Sequence, residues 1–339
     1  MRGTGRSWLA ALAAWLVVVA PLSAHCEEAL TLVLNWVPDA EHAPFFYAKQ
    51  RGWYRDAGIS LTIDYVAGSP AAIQRASQQP RTLATADFVA FLREYDKGVA
   101  VRAVMALQAL SPYAIYSAEE SGIRTVSDLA GKRLGAQPQD PMRRLFGVLA
   151  VRNGLDPSAV IWVDRSNAAK PDAVASGEID AALNPFLHNH LNYEATLGPR
   201  MRVLWWHDQG FAAYGQVLVA NAALIEQSHD ALRRFVAITQ RAWAQCMETP
   251  SPCLDALLAD HPNLDRAHEA ALWRLVATMT AQGIAADSPV GAFDADRVAR
   301  TLDDVRATFG PPTGGVAGNA TTNAFIDLSL KPGQPSQSR

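Results

Sequence analysis

The chain has 339 residues, of which 49% are hydrophobic and 19% charged, and its mean hydropathy is −0.01. That length allows about two domains of roughly 150 residues, and the composition excludes collagen, coiled coil, disordered tail and polytopic membrane protein. Thirty Lys and Arg against 33 Asp and Glu give a net charge of −3, which argues against a nucleic-acid binder, and three cysteines neither build a disulfide scaffold nor space like a zinc site.

The first 24 residues read as an export signal. Arg2 and Arg6 precede an apolar run from Trp8 to Leu22, followed by the small residues Ser23 and Ala24. The run is short of the ~20 residues that a membrane span needs. The sequence therefore points to a soluble periplasmic protein. Cys26 lies just past the run and raises lipid attachment as a second reading, which the bulky His25 before it opposes.

Strand-like and helix-like stretches then alternate. Short β-rich runs occur at 30–36, 59–66, 101–107, 113–117, 160–163, 181–183, 203–206 and 216–219. Helical periodicity occupies 44–51, 71–78, 88–97, 142–153, 171–176 and 187–197. This alternation predicts an α/β fold of parallel sheets covered by helices. From residue 230 the pattern turns helical, over 230–247, 254–261, 265–282 and 294–309. In the third of these, Leu264, Ala267, Ala271, Leu275 and Met279 mark an apolar stripe. Trp243 and Trp273 read as core. Residues 310–318 form a Pro/Gly loop and 331–339 a loose tail.

Cys246 and Cys253 are separated by six residues that include two prolines. In an oxidising compartment they are expected to pair, stabilising the fold by roughly 2–3 kcal/mol; two buried thiols are the alternative.

Residues 32–58 carry the sharpest message. The chain leaves a buried strand at Asn35 and Trp36, turns through Pro38 and Asp39, and enters a helix. Ligands of open α/β sheets bind beyond the carboxyl ends of strands, so Asn35, Trp36 and His42 are placed where a ligand belongs. Trp36 offers a stacking face, Asn35 a donor and an acceptor, and His42 a switchable hydrogen-bond partner. Ser69 in the next turn joins them, as do Thr85 and Asp87, read as the opening of a helix with free N–H groups. Ser69 and Asp87 serve equally well as plain helix caps.

The stretch LVLNWVPDAEHAPFFYAKQRGWYRDAG, with VSDLAGKRLG at 126–135, GEIDAA at 177–182 and Tyr214-Gly215 before a strand, resembles one known family. That family includes the thiamine-pyrimidine precursor-binding proteins of ABC importers. Pyrimidine synthases of yeast and nitrate, sulfonate and taurine binders are its relatives. The resemblance implies a type II periplasmic binding protein. Lobe one would comprise residues 28–110 plus 212–330, lobe two 111–211, with crossings near 108–113 and 206–214 and a ligand cleft between. It also implies a membrane permease as partner, no cofactor and no chemistry; no metal or nucleic-acid partner is expected, and a monomer is.

On lobe two, Gln137 precedes a helix that cradles anions in relatives, but Asp140 at its start would repel them. Asn184 and Phe186 follow a strand. Glu194, in Asn192-Tyr193-Glu194, matches the segment that presents a carboxylate to a ring amino group in pyrimidine binders. Tyr113 and Tyr214 flank the crossings and are candidates to close over the ring, or simply to pack. Amides and carboxylates among these candidates suit a planar guest rich in N–H donors, an aminopyrimidine or another heteroaromatic such as a flavin fragment. Sulfonate, nitrate and aromatic acids are the other guests to weigh. Two rivals stand beside this reading. A pyrimidine synthase would need a cysteine-rich iron site and pyridoxal phosphate. A metal binder would use His188, His190, His207 and Asp208, of which the first two are poorly spaced for chelation on a helix.

Overall fold

The computed structural model describes residues 27–283, 288–314 and 318–331. The export segment, the lipidation candidate Cys26 and residues 332–339 of the expected tail lie outside the described residues. Among the described residues no helix is long and apolar enough to cross a membrane.

The described chain forms β1 (Glu28–Leu34), β2 (Ile59–Tyr65), β3 (Thr82–Asp87), β4 (Val101–Ala106), β5 (Ala114–Ala118), β6 (Arg133–Gly135), β7 (Ile161–Val163), β8 (Ala181–Asn184), β9 (Met201–Trp205) and β10 (Gln216–Asn221). They make two five-stranded sheets, ordered β2-β1-β3-β10-β4 and β7-β6-β8-β5-β9. The chain passes from the first sheet to the second between Ala106 and Ala114, and returns between Trp205 and Gln216. This is the α/β architecture of a type II periplasmic binding protein.

The sheets are mixed, which corrects the all-parallel expectation. β10 runs antiparallel to β3 and β4, and β5 antiparallel to β8 and β9. The cause is the crossing. Each of these strands begins where the chain arrives from the other sheet, so it runs away from the junction toward which its neighbours run.

Alternation along β1 explains how the first sheet is covered. Leu30, Leu32 and Leu34 face one way, into a core shared with the helix Ala43–Gln50 and the C-terminal helices. Val33 faces the other way, against Ala72, Ala76 and Ala84. β3 (TLATAD) was not foreseen as a strand. Its small residues fit between helices on both faces, and five of its six residues are buried. β6 spans only three residues, too few for a periodic signal.

The helices His229–Glu248, Pro250–Asp260 and Arg266–Ala281 bury Trp243 and Trp273 as expected. The stripe expected in the last of them is displaced. Leu272, Trp273, Val276 and Met279 are buried, whereas Leu264 precedes the helix and Ala267 is exposed. Tryptophan at position 273 fixes the face, because its area outweighs that of two alanines. A disulfide joins Cys246 to Cys253 across the break between the first two of these helices, with Cα atoms 5.8 Å apart.

Candidate ligand-binding cleft

Both sheets send their loops toward a cavity of about 510 Å³, in the range of small-molecule sites. The first-sheet wall is a lattice of neutral polar groups. Asn35, just past β1, donates its backbone N–H to Thr85 Oγ1 (3.0 Å) and accepts that hydroxyl's proton at Oδ1 (2.7 Å). Its Nδ2 donates to Ser69 Oγ (3.1 Å) and Gln216 Oε1 (3.2 Å). Ser69 Oγ also accepts from Asp87 N–H at 3.0 Å. Ser69 sits at the start of a helix behind Gly68, whose φ of +98° a side chain would strain.

The crossings seal the floor. Gln108 donates Nε2 to Glu41 Oε1 (3.0 Å), and its own Oε1 accepts from Gln216 N–H (3.4 Å). Gly215 packs against them so closely that a Cβ there would lie 2.6 Å from Gln108 Oε1 and Leu110 O. Ser111 N–H donates to Ala213 O (2.9 Å) and Trp206 N–H to Tyr113 O (2.9 Å), tying the two crossings together. From outside, Arg297 donates to Ala109 O, Ala212 O and Ala213 O.

Charge in the cleft is mostly negative. Burial pushes the Glu41 carboxyl up to about 7, helped by the charge of Asp39. Burial likewise raises Asp87 to about 6, although Ala90 N–H and Tyr113 OH both donate to its Oδ1 (2.8 and 3.0 Å). On the second-sheet wall, Asp140 caps the helix Pro141–Arg152 by accepting from Met142 N–H. Burial raises its pKa while Lys170 pulls the other way. The fully buried Lys170 Nζ lies 3.7 Å from Asp140 and donates to Asn167 Oδ1 and Leu183 O, each at 2.8 Å.

Aromatic faces line the opening. Trp36 and Phe186 are exposed at 45% and 43%, although both are large and apolar. The His188 ring lies nearly parallel to Trp36, at 6° with centroids 6.5 Å apart, and also stacks on Phe186 at 5.3 Å. Burial holds the His188 pKa below the ordinary imidazole value, which favours the uncharged ring.

Six of the twelve expected ligand residues line this cavity: Asn35, Trp36, Ser69, Asp87, Tyr113 and Phe186. Thr85 stands behind Asn35, at the end of β3 rather than the start of a helix. Asn184 is buried behind the wall, where its Oδ1 orients Asn189 (2.9 Å), which does line the cleft.

The other four lie elsewhere. His42 is buried and paired with Asp39 at 3.1 Å; burial lowers its pKa, but Asp39, Glu41 and Glu269 outweigh that and raise it. Gln137 is exposed outside the cavity lining. Glu194 points to solvent, because its neighbour Tyr193 takes the buried face and stacks on Tyr116. The Tyr214 hydroxyl accepts from Asp294 N–H behind the crossings.

Sequence reasoning did not select Glu41, Gln108, Gln216 or Asn189 as site residues. Asp140 had entered as a group that repels anions at the helix start, not as a ligand contact. Of the metal-binding candidates, His188 faces the cleft while His190 hydrogen-bonds the Tyr116 hydroxyl. Among the described residues no three His, Cys, Asp or Glu side chains are grouped to hold a metal.

The model of the NMT1/THI5-like family matches residues 39–252. A riboflavin-binding protein of Chloroflexus aurantiacus is 24% identical over 235 residues, 68% of this chain; the match spans 66% of that protein, just under two thirds of its length. The 4-amino-5-hydroxymethyl-2-methylpyrimidine phosphate synthase of Legionella pneumophila is also 24% identical, over 69% of this chain and 74% of its own. Among solved structures, the periplasmic aliphatic sulphonate binding protein of Escherichia coli superimposes with a TM-score of 0.63 at 17% identity. That superposition covers 86% of this chain and 95% of the other.

Proposed function

The chain belongs to the NMT1/THI5-like family, and from that premise we propose that it is a periplasmic solute receptor. It captures a small planar, nitrogen-rich ligand of the thiamine-pyrimidine precursor type and presents it to an ABC permease. The observation that carries this reading is the pair of nearly parallel rings, Trp36 from one wall and His188 from the other, above a polar floor. A flat guest between them would have an aromatic face on each side, at about 3.5–4 Å once the walls part slightly.

The two tied crossings serve as the hinge between lobes over about 28–110 plus 212–330 and 111–211. Closure excludes water and strengthens the polar contacts inside. The export segment supports the location, and a monomer suffices because the cleft is formed within one chain. No reaction is assigned. Among the described residues the lining offers no thiol, and Ser69, its one hydroxyl-bearing aliphatic side chain, is hydrogen-bonded to Asn35 and Asp87 rather than to a base.

A flavin is the second reading, supported by the size of the cavity and by the riboflavin-binding relative. Sulfonates and nitrate are opposed by Glu41, Asp87 and Asp140, which outnumber Arg93, the one Lys or Arg in the described lining. Calorimetric titration of aminopyrimidines, riboflavin, an alkanesulfonate and nitrate tests the reading. A planar heteroaromatic should bind, and Trp36→Ala should weaken it by about 1–3 kcal/mol, the usual value of a base–aromatic stack. Tight binding of the sulfonate alone would overturn it.

A further inference from the structure

The hydrogen bonds of the cleft floor leave few groups free for a guest. Asn35 uses both amide hydrogens and its carbonyl on Ser69, Gln216 and Thr85. Gln108 is engaged by Glu41 and Gln216, and Asp87 by Ala90 and Tyr113. Glu41 differs. Only its Oε1 is engaged, by Gln108; Oε2 has no partner among the described residues, and the side chain lines the cavity while remaining partly exposed.

We propose that Glu41 is the specificity-determining residue of the cleft. Its free carboxyl oxygen takes the N–H edge of a heteroaromatic that carries a ring nitrogen beside an exocyclic amine, and the two partners share one proton. The inference rests on the planar-ligand reading above and names the edge that this ligand must present. It moves to Glu41 the role that the sequence resemblance had suggested for Glu194.

The surroundings of Glu41 set its proton balance. Asp39 and His42 share its turn, Gln108 faces it from the first crossing, and Glu269 faces it from the helix Arg266–Ala281. Burial first, then Asp39, brings the carboxyl to about 7. Near neutrality it therefore meets the guest as an acid facing a neutral ring nitrogen, or as a carboxylate facing the protonated ring. Both pairings hold one proton and make the same two hydrogen bonds. Above pH 7 neither free partner carries that proton, so binding must take one up, and the affinity falls tenfold per pH unit. Below the pKa of the guest both partners are protonated, one proton must leave, and the affinity falls again.

The test uses 4-amino-5-hydroxymethyl-2-methylpyrimidine and 5-hydroxymethyl-2-methylpyrimidine, which lacks the amine, titrated calorimetrically into wild-type protein, Glu41→Leu and Glu41→Gln from pH 5 to 9. The amino compound should bind wild type about tenfold or more tighter than the desamino compound, since a site built to pair with a given edge rejects the analogue lacking it. Its affinity should peak near neutrality. Glu41→Leu should remove at least about tenfold from the amino compound and cost the desamino compound less, whereas Glu41→Gln, whose amide offers the same donor and acceptor as the acid, should keep the amino compound bound and remove the fall in affinity above pH 7. Equal losses for both compounds, or a flat wild-type profile, would overturn the role of Glu41 and leave the planar-ligand reading standing. Binding of riboflavin but of neither pyrimidine would do the same. Binding of no planar compound would overturn both. Should Glu41→Leu melt early, the wild-type pH profile alone decides.

Discussion

On the first-sheet wall, Asn35, Ser69, Thr85, Gln108 and Gln216 hold one another in a neutral lattice in which every member makes two or more bonds, those of Thr85 both to Asn35. On the second-sheet wall, Asp140, Asn167 and the end of β8 converge on one buried cation, Lys170. The lattice spreads its dependence over many groups, so the loss of one leaves others in place. The lysine concentrates it, so its loss strands a carboxylate in a poorly solvated place. One wall holds its shape by redundancy and the other by a single charge.

Substitutions on either side sharpen that contrast. Lys170→Met should cost about 3–5 kcal/mol in urea unfolding, the usual penalty for leaving one member of a buried pair alone. A loss below about 1 kcal/mol would show that Asp140 is already neutral. Asn35→Ala should cost less, about 1–3 kcal/mol, because the groups it leaves behind can reach cavity water.

A smaller effect comes with pH. Glu41 and Asp87 are raised to about 7 and about 6, above their ordinary values, so the stability they contribute is full below the usual carboxylate range. It is lost as pH rises through 6 and 7. The ligand-free protein should therefore melt lower at pH 8 than at pH 5, relative to a Glu41→Gln, Asp87→Asn double variant. The difference should be on the order of 1 kcal/mol per group after allowance for cavity water. Glu194→Gln should be smallest of all, within about 0.5 kcal/mol for both stability and binding, since the side chain faces solvent.

The sequence made one wall more legible than the other. Trp36 and Asn35 were readable because they follow an alternating strand directly, and ligands gather beyond such strand ends. Gln108 and Gln216 were not, because each acquires its role from the other across 108 residues of chain, which no local pattern records. Glu194 and His42, expected in the cleft, lie outside its lining. Each has the right chemistry in the right segment, but Tyr193 takes the inward face of one helix, and Asp39 claims the imidazole. The strand β3 was hidden because its alanines carry little strand propensity and its burial on both faces leaves no alternation to read.

The most direct measurement is a crystal structure of the protein soaked with the aminopyrimidine or with riboflavin. The guest ring should lie between Trp36 and His188, with an N–H edge on Glu41. A guest seated elsewhere, or an oxyanion held at the start of the helix Pro141–Arg152 with Trp36 untouched, would contradict it.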